Sequence, residues 1–273
     1  MRLGIFAKTF PGSDPASVLA AVAAAGFEAA QYNFACSGLP PMPDAVEPGI
    51  AAAVARAAAS SGVAIPAVSG TYNMAHPDPA VRADGLRRLE VVAASCGSIG
   101  AGLVTLCTGT RDADDQWRHH PDNDTPEAWR VMLAEMEKAV DIASRHGVRL
   151  GIEPELANVV SSAAHARRLL DEIGGDRLAV VLDPANLFEQ AGLAEQRRIV
   201  AEAIDLLAPD IVMGHAKDRN PDGSFATAGK GVLDFGHYLS RLRAGGFDGD
   251  LVAHGLAAAE APGVARFLRG ALQ

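Results

Sequence analysis

The chain has 273 residues, of which 49% are hydrophobic and 21% are charged, and its formal net charge is −9. This balance excludes an intrinsically disordered chain and a coiled coil, and it argues against a nucleic-acid partner, which a basic face would attract. No apolar run reaches the ~20 residues that a membrane-spanning helix needs, so we expect no membrane partner either.

The cysteines indicate the compartment. Cys36, Cys96 and Cys107 are an odd number and lack the spacing of a metal site. Reduced, buried thiols of this kind are typical of a cytoplasmic protein. The first residues, MRLGIFAKTF, also lack the basic, apolar and small segments of a signal peptide. We therefore predict a cytoplasmic location.

Short apolar strands alternate with amphipathic helices along the chain. The predicted strands are enriched in Val, Ile, Leu or Ala and cover 3–9, 28–34, 64–71, 103–108, 149–155, 178–183, 211–217 and 251–254. The predicted helices cover 14–25, 44–61, 79–99, 125–145, 162–173, 193–207, 234–244 and 260–272. Eight units of about 34 residues predict an α/β fold, a single (β/α)8 TIM barrel forming one domain over residues 1–273.

An open, doubly wound sheet is the alternative arrangement of such units. A nucleotide-binding sheet of that type would carry a glycine-rich fingerprint after its first strand. The sequence Thr9-Phe10-Pro11-Gly12 is not such a fingerprint. The pattern therefore favours the closed barrel.

Four strand ends in the second half of the chain carry metal-ligating residue types. Glu153, Asp183, His215 and His254 are separated by 30, 32 and 39 residues, one strand–helix unit each. Barrels of this kind build their sites at the carboxyl ends of the strands, so we expect the four side chains to meet there. Two carboxylates and two imidazoles suit Mn²⁺, Co²⁺, Zn²⁺ or Fe²⁺, whereas Mg²⁺ prefers more oxygen ligands. The alternative is that each is only a polar residue at the rim.

Further polar residues are expected around the same mouth. Side chains two apart on a strand share a face, so Glu155 should join Glu153, and Lys217 should join His215. The polar loop 109–125 is long enough to be a lid or binding loop. The predicted substrate-binding residues are Lys217, Asn73, Arg111, Trp117, His120 and Asn186. For Trp117, the alternative is that it only fixes this loop to the barrel.

Four segments together resemble a known family. They are GIEPE at 151–155, LDPAN at 182–186, GHAKD at 214–218, and GKG at 229–231 shortly before Asp234-Phe235. This series is similar to the xylose isomerase-like TIM barrels, the sugar phosphate isomerases and epimerases, whose relatives include endonuclease IV. The resemblance implies one divalent metal ion, such as Mn, Co, Zn or Mg, held by Glu, Asp, His and Glu from strands five to eight.

Glu153, Asp183 and His215 match the first three ligand positions of that family, and His254 stands where the family usually has glutamate. An imidazole can still bind a metal, and its pKa near 6.5 suits proton transfer. The resemblance implies that Glu153 and His254 form the acid–base pair, with Glu155 as the alternative base.

The implied activity is metal-dependent isomerisation or epimerisation of a small polyhydroxy carbonyl compound, a sugar or sugar phosphate, through an enediolate. A dehydratase or lyase acting on a similar substrate starts with the same proton abstraction, and a non-catalytic sugar-binding barrel is a further alternative. DNA repair of the endonuclease type is disfavoured by the single ligand cluster and the charge of −9. Relatives of this kind are often homo-oligomers.

Overall fold

A computed structural model describes all residues from Met1 to Gln273. Eight parallel strands form a closed barrel surrounded by eight α-helices, which confirms the predicted (β/α)8 TIM barrel. The barrel strands are β1 (Arg2–Phe6), β2 (Ala29–Tyr32), β3 (Ala64–Ser69), β4 (Leu103–Leu106), β5 (Arg149–Ile152), β6 (Leu178–Leu182), β7 (Ile211–Ala216) and β10 (Asp250–Ala253). Two further strands, β8 (Asp218–Arg219) and β9 (Phe225–Ala226), form an antiparallel hairpin after β7.

The helices follow the predicted pattern closely. They are α1 (Pro15–Ala24), α2 (Pro48–Ser61), α3 (Pro79–Ile99), α4 (Pro126–His146), α5 (Ala163–Ile173), α6 (Leu193–Leu207), α7 (Phe235–Ala244) and α8 (Ala261–Ala271). Side chains of Asp14, Asp78 and Thr125 accept hydrogen bonds from backbone N–H groups that the helix itself leaves unpaired. None of the helices is both long and apolar enough to cross a membrane.

Closure of the barrel depends on the pairing of β1 with β10. Arg2 pairs with Asp250 and Ile5 with Ala253, so the first and last barrel strands are neighbours. Each barrel strand therefore has two parallel partners, and the barrel itself has no open edge. All eight carboxyl ends consequently open into one mouth.

The barrel interior below this mouth is apolar. Five buried side chains, each from a different barrel strand, pack together there, namely those of Ala67, Leu103, Val181, Met213 and Val252. Gly151 is required beside them, because an added Cβ would lie 2.8 Å from Val181 Cγ2. The polar side chains at the mouth thus rest on a closed, water-excluding floor.

Candidate metal centre and substrate cavity

The structure brings together the four residues expected to bind a metal. Glu153 follows β5, Asp183 follows β6, His215 lies in β7 and His254 follows β10. One ligand atom from each lies within 4.8 Å of the other three. Two carboxylate oxygens and two imidazole nitrogens fit a divalent transition-metal ion. Glu153, Asp183, His215 and His254 would therefore hold such an ion.

The His215 ring lies between two side chains, Glu153 after β5 and Gln31 in β2. Its Nδ1 lies 3.2 Å from Glu153 Oε1, and its Nε2 lies 2.9 Å from Gln31 Oε1. Gln31 in turn donates through Nε2 to Thr105 Oγ1 at 3.0 Å. Burial opposes the charged imidazolium, but the Glu153 carboxylate outweighs it and raises the pKa of His215. Gln31 thus orients the ring, a role that its place in a predicted strand did not reveal.

Asp183 is the most heavily bonded carboxylate of the cluster. His254 Nε2 donates to its Oδ2 at 2.9 Å, Lys217 Nζ forms an ion pair with the same oxygen at 3.2 Å, and the backbone N–H of Ala185 donates to Oδ1. Burial would raise the pKa of Asp183, but Lys217 and His254 hold it well below its usual value. Burial and the nearby His215 lower the pKa of His254. Asp183 is therefore an anion, ready to bind a cation.

Lys217 extends the cluster towards the cavity. Its Nζ donates to Asn186 Oδ1 at 2.8 Å, and Asn186 Nδ2 donates to Glu153 Oε1 at 2.8 Å. The ring of Phe225 covers the ammonium group, with its centroid 3.8 Å from Nζ. Burial would lower the pKa of Lys217, but the carboxylates of Asp183 and Glu153 outweigh it and raise that pKa. The side chain is thus a buried cation.

Glu155 differs from the other acidic residues at the mouth. Its carboxylate lines the cavity and makes no hydrogen bond or ion pair within the chain, although its backbone N–H donates to Val160. Burial and the neighbouring Glu153 raise the pKa of Glu155 to about 7. A free carboxylate with a pKa near neutrality can both accept and return a proton.

The predicted substrate-binding residues separate into two groups. Lys217, Asn186 and Trp117 line the cavity above the cluster. Asn73, Arg111 and His120 are not among its lining residues. A place in a loop at the barrel mouth was therefore not enough to predict that a side chain points into the cavity.

Hydrogen bonds to the backbone explain why Asn73, Arg111 and His120 do not line the cavity. Asn73 Oδ1 accepts from the backbone N–H of Thr110 at 2.9 Å, and Arg111 Nη1 donates to the carbonyl of Ala75 at 3.0 Å. His120 Nδ1 accepts from the backbone N–H of Asp122 at 3.2 Å and caps a short 3-10 turn. These side chains hold the loop 109–125 in place.

The same loop is fixed at its tip and reaches the cavity. Arg118 donates through Nε and Nη2 to the two carboxylate oxygens of Asp112, at 2.5 and 2.8 Å. Gln116 and Trp117 then line the mouth, with Trp117 50% exposed. Part of the loop thus lines the cavity, whereas its arginines Arg111 and Arg118 are bonded to other residues of the chain.

Asp218 organises the segment that contains the GKG sequence. Its buried carboxylate accepts from four backbone N–H groups at 2.8–3.1 Å, those of Arg219, Gly229, Gly231 and Leu233. A Cβ at Gly231 would lie 2.1 Å from the Arg219 carbonyl oxygen, so only glycine fits there. Lys230 pairs with Glu260 rather than facing the cavity. The GKG segment is thus structural, and Asp218 is its anchor.

Comparison with known proteins places this architecture in a family. The family model described as xylose isomerase-like TIM barrel matches residues 19–264. No curated protein sequence matches the chain. Among solved structures, the 3-keto-D-glucoside 4-epimerase of E. coli is 16% identical and superposes with a TM-score of 0.78 over 99% of both chains.

Two more solved structures are equally similar in shape. The D-psicose 3-epimerase of Clostridium cellulolyticum H10 is 15% identical, with a TM-score of 0.78 over the whole of both chains. An L-ribulose 3-epimerase is 21% identical, with a TM-score of 0.78 over 99% of this chain and 94% of the other. At these identities the similarity establishes the shared fold.

Proposed function

The chain belongs to the xylose isomerase-like TIM-barrel family, and we propose that it is a metal-dependent isomerase or epimerase of a small polyhydroxy carbonyl compound. The observation that carries the proposal is the meeting of Glu153, Asp183, His215 and His254 within 4.8 Å, beside the unpaired carboxylate of Glu155. The similarly folded proteins named above are sugar epimerases, which supports the same class of substrate.

The metal and the protein would divide the chemistry between them. A divalent cation bound to the four ligands would polarise the carbonyl oxygen of an α-hydroxy carbonyl compound and so acidify the neighbouring C–H group. Glu155 then accepts that proton on a carboxylate oxygen, and the C–H electron pair moves into the new carbon–carbon double bond of an enediolate. Return of a proton to the neighbouring carbon isomerises the substrate, and return to the opposite face epimerises it.

Glu155 is our first assignment for the base because the other two candidates are already bonded. Glu153 Oε1 accepts from Asn186 and contacts His215, and His254 Nε2 donates to Asp183. Each of these two keeps one atom free, Glu153 Oε2 and His254 Nδ1. A residue whose free atom is not bound to the metal could exchange a proton there, so the pair Glu153 and His254 stays the alternative assignment.

Exchange of substrate hydrogen with solvent deuterium tests the proposal whichever product is formed. The protein is loaded with Mn²⁺, Co²⁺ or Zn²⁺ and mixed with a panel of ketoses, ketose phosphates and keto acids in D₂O. We expect metal-dependent deuterium incorporation next to the carbonyl group, detected by NMR, and its loss in Asp183→Asn. Binding of a sugar without any exchange by the metal-loaded protein would favour the non-catalytic barrel instead.

A further inference from the structure

Lys217 is the charged side chain at the cavity whose counter-charge depends on the metal site. Its side chain is 8% exposed, and its only carboxylate partner within 4.0 Å is Asp183, at 3.2 Å. Asp183 is also one of the four residues that would hold the metal. The ammonium group and a divalent cation therefore share a single carboxylate.

We propose that the substrate carries a carboxylate group, as an α-hydroxy or α-keto sugar acid does, and that the Lys217 ammonium binds it. This inference rests on the proposed metal-dependent function and specifies its substrate class. It follows from the charges that remain in the cavity once Asp183 has bound a dication.

Metal binding changes what Asp183 can do for Lys217. A carboxylate that binds a divalent cation no longer compensates a neighbouring ammonium group, because its charge is already offset. Lys217 would then keep Asn186 Oδ1 and the face of the Phe225 ring, both of which are neutral. A buried cation without a counter-charge is unfavourable, so an anion entering beside it is stabilised.

A second cation lies close to Lys217 and increases the local positive charge. The Arg219 guanidinium carbon lies 4.2 Å from the centroid of the same Phe225 ring. Arg219 is 6% exposed, donates to the carbonyls of Ala185 and Gly223, and has no carboxylate within 4.0 Å. Because both cations lie about 4 Å from one centroid, they are at most about 8 Å apart, where their repulsion in a buried site is substantial.

The neighbouring carboxylate of Glu155 is not paired with Lys217. Glu155 lines the same cavity, but Asp183 is the only carboxylate within 4.0 Å of the Lys217 ammonium group. When Glu155 accepts the substrate proton, the negative charge passes to the enediolate, so the total charge of the site is unchanged. A carboxylate on the substrate would give Lys217 a direct counter-charge throughout the reaction.

The surroundings favour a carboxylate over a phosphate ester. A phosphate group is usually held by several N–H donors or by arginine forks. The two arginines of the mouth loop are committed, Arg111 to the Ala75 carbonyl and Arg118 to Asp112. Lys217 makes one hydrogen bond, to Asn186, and one ion pair, with Asp183, so it can offer a further N–H to a single carboxylate oxygen but not the several donors that hold a phosphate group.

Binding of matched ligands to the metal-loaded protein tests this without measuring turnover. Calorimetry with Mn²⁺-loaded protein compares D-arabinonate with D-arabinitol, which differ at the terminal carboxylate, and with D-arabinose 5-phosphate. We expect the acid to bind at least tenfold more tightly than the polyol, and more tightly than the phosphate ester. Equal affinities for acid and polyol, or a preference for the phosphate ester, would overturn the proposal.

Variants at Lys217 assign the preference to this side chain. Lys217→Gln should reduce the ratio of acid to polyol affinity to about twofold or less, Lys217→Arg should retain most of it, and Lys230→Gln, on the surface, should leave it unchanged. Metal content and thermal melting are measured on each variant, so that only folded, loaded proteins are compared. An unchanged ratio in loaded Lys217→Gln contradicts the proposal.

The outcome is separable from that of the proposed function. Metal-dependent exchange with neutral ketoses, together with equal binding of acid and polyol, would keep the isomerase or epimerase and reject the carboxylate. A tight, Lys217-dependent complex with the acid, but no deuterium exchange into any compound, would reject catalysis and keep the binding preference.

Discussion

His254 Nε2 and Asp183 Oδ2 lie 2.9 Å apart, so the imidazole after β10 donates to the carboxylate after β6, past the intervening strand β7. The nitrogen that makes this bond carries a proton, whereas a metal-binding nitrogen must be free of one. Metal binding through Nε2 would therefore release that proton and break the bond. Binding through Nδ1 would preserve it.

The first prediction concerns metal binding. We expect wild-type protein to bind one Mn²⁺, Co²⁺ or Zn²⁺ per chain and to melt at a higher temperature when loaded. Asp183→Asn should weaken binding by at least about a hundredfold, because loss of a direct ligand exceeds the 10–100-fold loss typical of an outer contact. Calorimetry and elemental analysis measure this, with Glu202→Gln, on the exposed face of α6 and outside the cluster, as the control.

The second prediction concerns the histidine at the eighth barrel strand. In His254→Glu, Asp183 loses a hydrogen-bond donor and gains a like charge beside it. The metal-free variant should therefore melt several degrees lower than wild type, about 2–4 °C for each kcal/mol lost. The added carboxylate should also bind a divalent metal more tightly than the imidazole does. Weaker metal binding by this variant, measured by calorimetry, would show that the imidazole is the better ligand here.

The third prediction separates the two neighbouring glutamates. Glu155→Gln should lower the rate of solvent-deuterium exchange by about 10²–10⁴-fold and leave metal affinity nearly unchanged, because Glu155 lines the cavity outside the ligand cluster. Glu153→Gln should lose both metal binding and exchange. If Glu155→Gln exchanges at the wild-type rate, the base is Glu153 or His254.

The fourth prediction concerns the anchor of the hairpin and GKG segment. Asp218→Asn exchanges one of two accepting oxygens for an N–H donor, so buried backbone N–H groups lose their partner. We expect a loss of about 2–4 kcal/mol in the free energy of unfolding, measured by urea denaturation. Asp222→Asn, in the exposed turn of the same hairpin, is the matched control and should change stability by less than about 1 kcal/mol. Equal effects would mean that the four bonds to Asp218 contribute little.

The fifth prediction concerns Trp117, the exposed aromatic residue of the loop 109–125. Trp117 is 50% exposed and lines the cavity, so Trp117→Ala should leave the melting temperature close to that of wild type. It should weaken substrate binding by about tenfold, which corresponds to the loss of one aromatic contact of about 1.4 kcal/mol. An unaltered KM would indicate that Trp117 only covers the loop.

Local patterns were sufficient to predict the barrel. Alternating apolar strands and capped helices depend on residues close together in the chain, and the predicted helices 79–99 and 193–207 match α3 and α6 residue for residue. Predicted strands such as 149–155 extended too far, because β5 ends at Ile152 and the polar residues that follow leave the sheet for the mouth. Those same residues identified the cluster, since each ligand lies at a strand end and parallel strands in a closed barrel open to one side.

Only the tertiary structure decided which polar side chains face the cavity. Asn73 binds the backbone of a loop 37 residues away, and His215 is oriented by Gln31, 184 residues away. Lys217 is shared between Asp183 and Asn186 on the neighbouring strand end. A polar side chain turns towards whichever partner satisfies it, and those partners come from distant strands that are brought together only by closure of the barrel. The sequence alone therefore determined the elements and the ligand types, and folding determined their contacts.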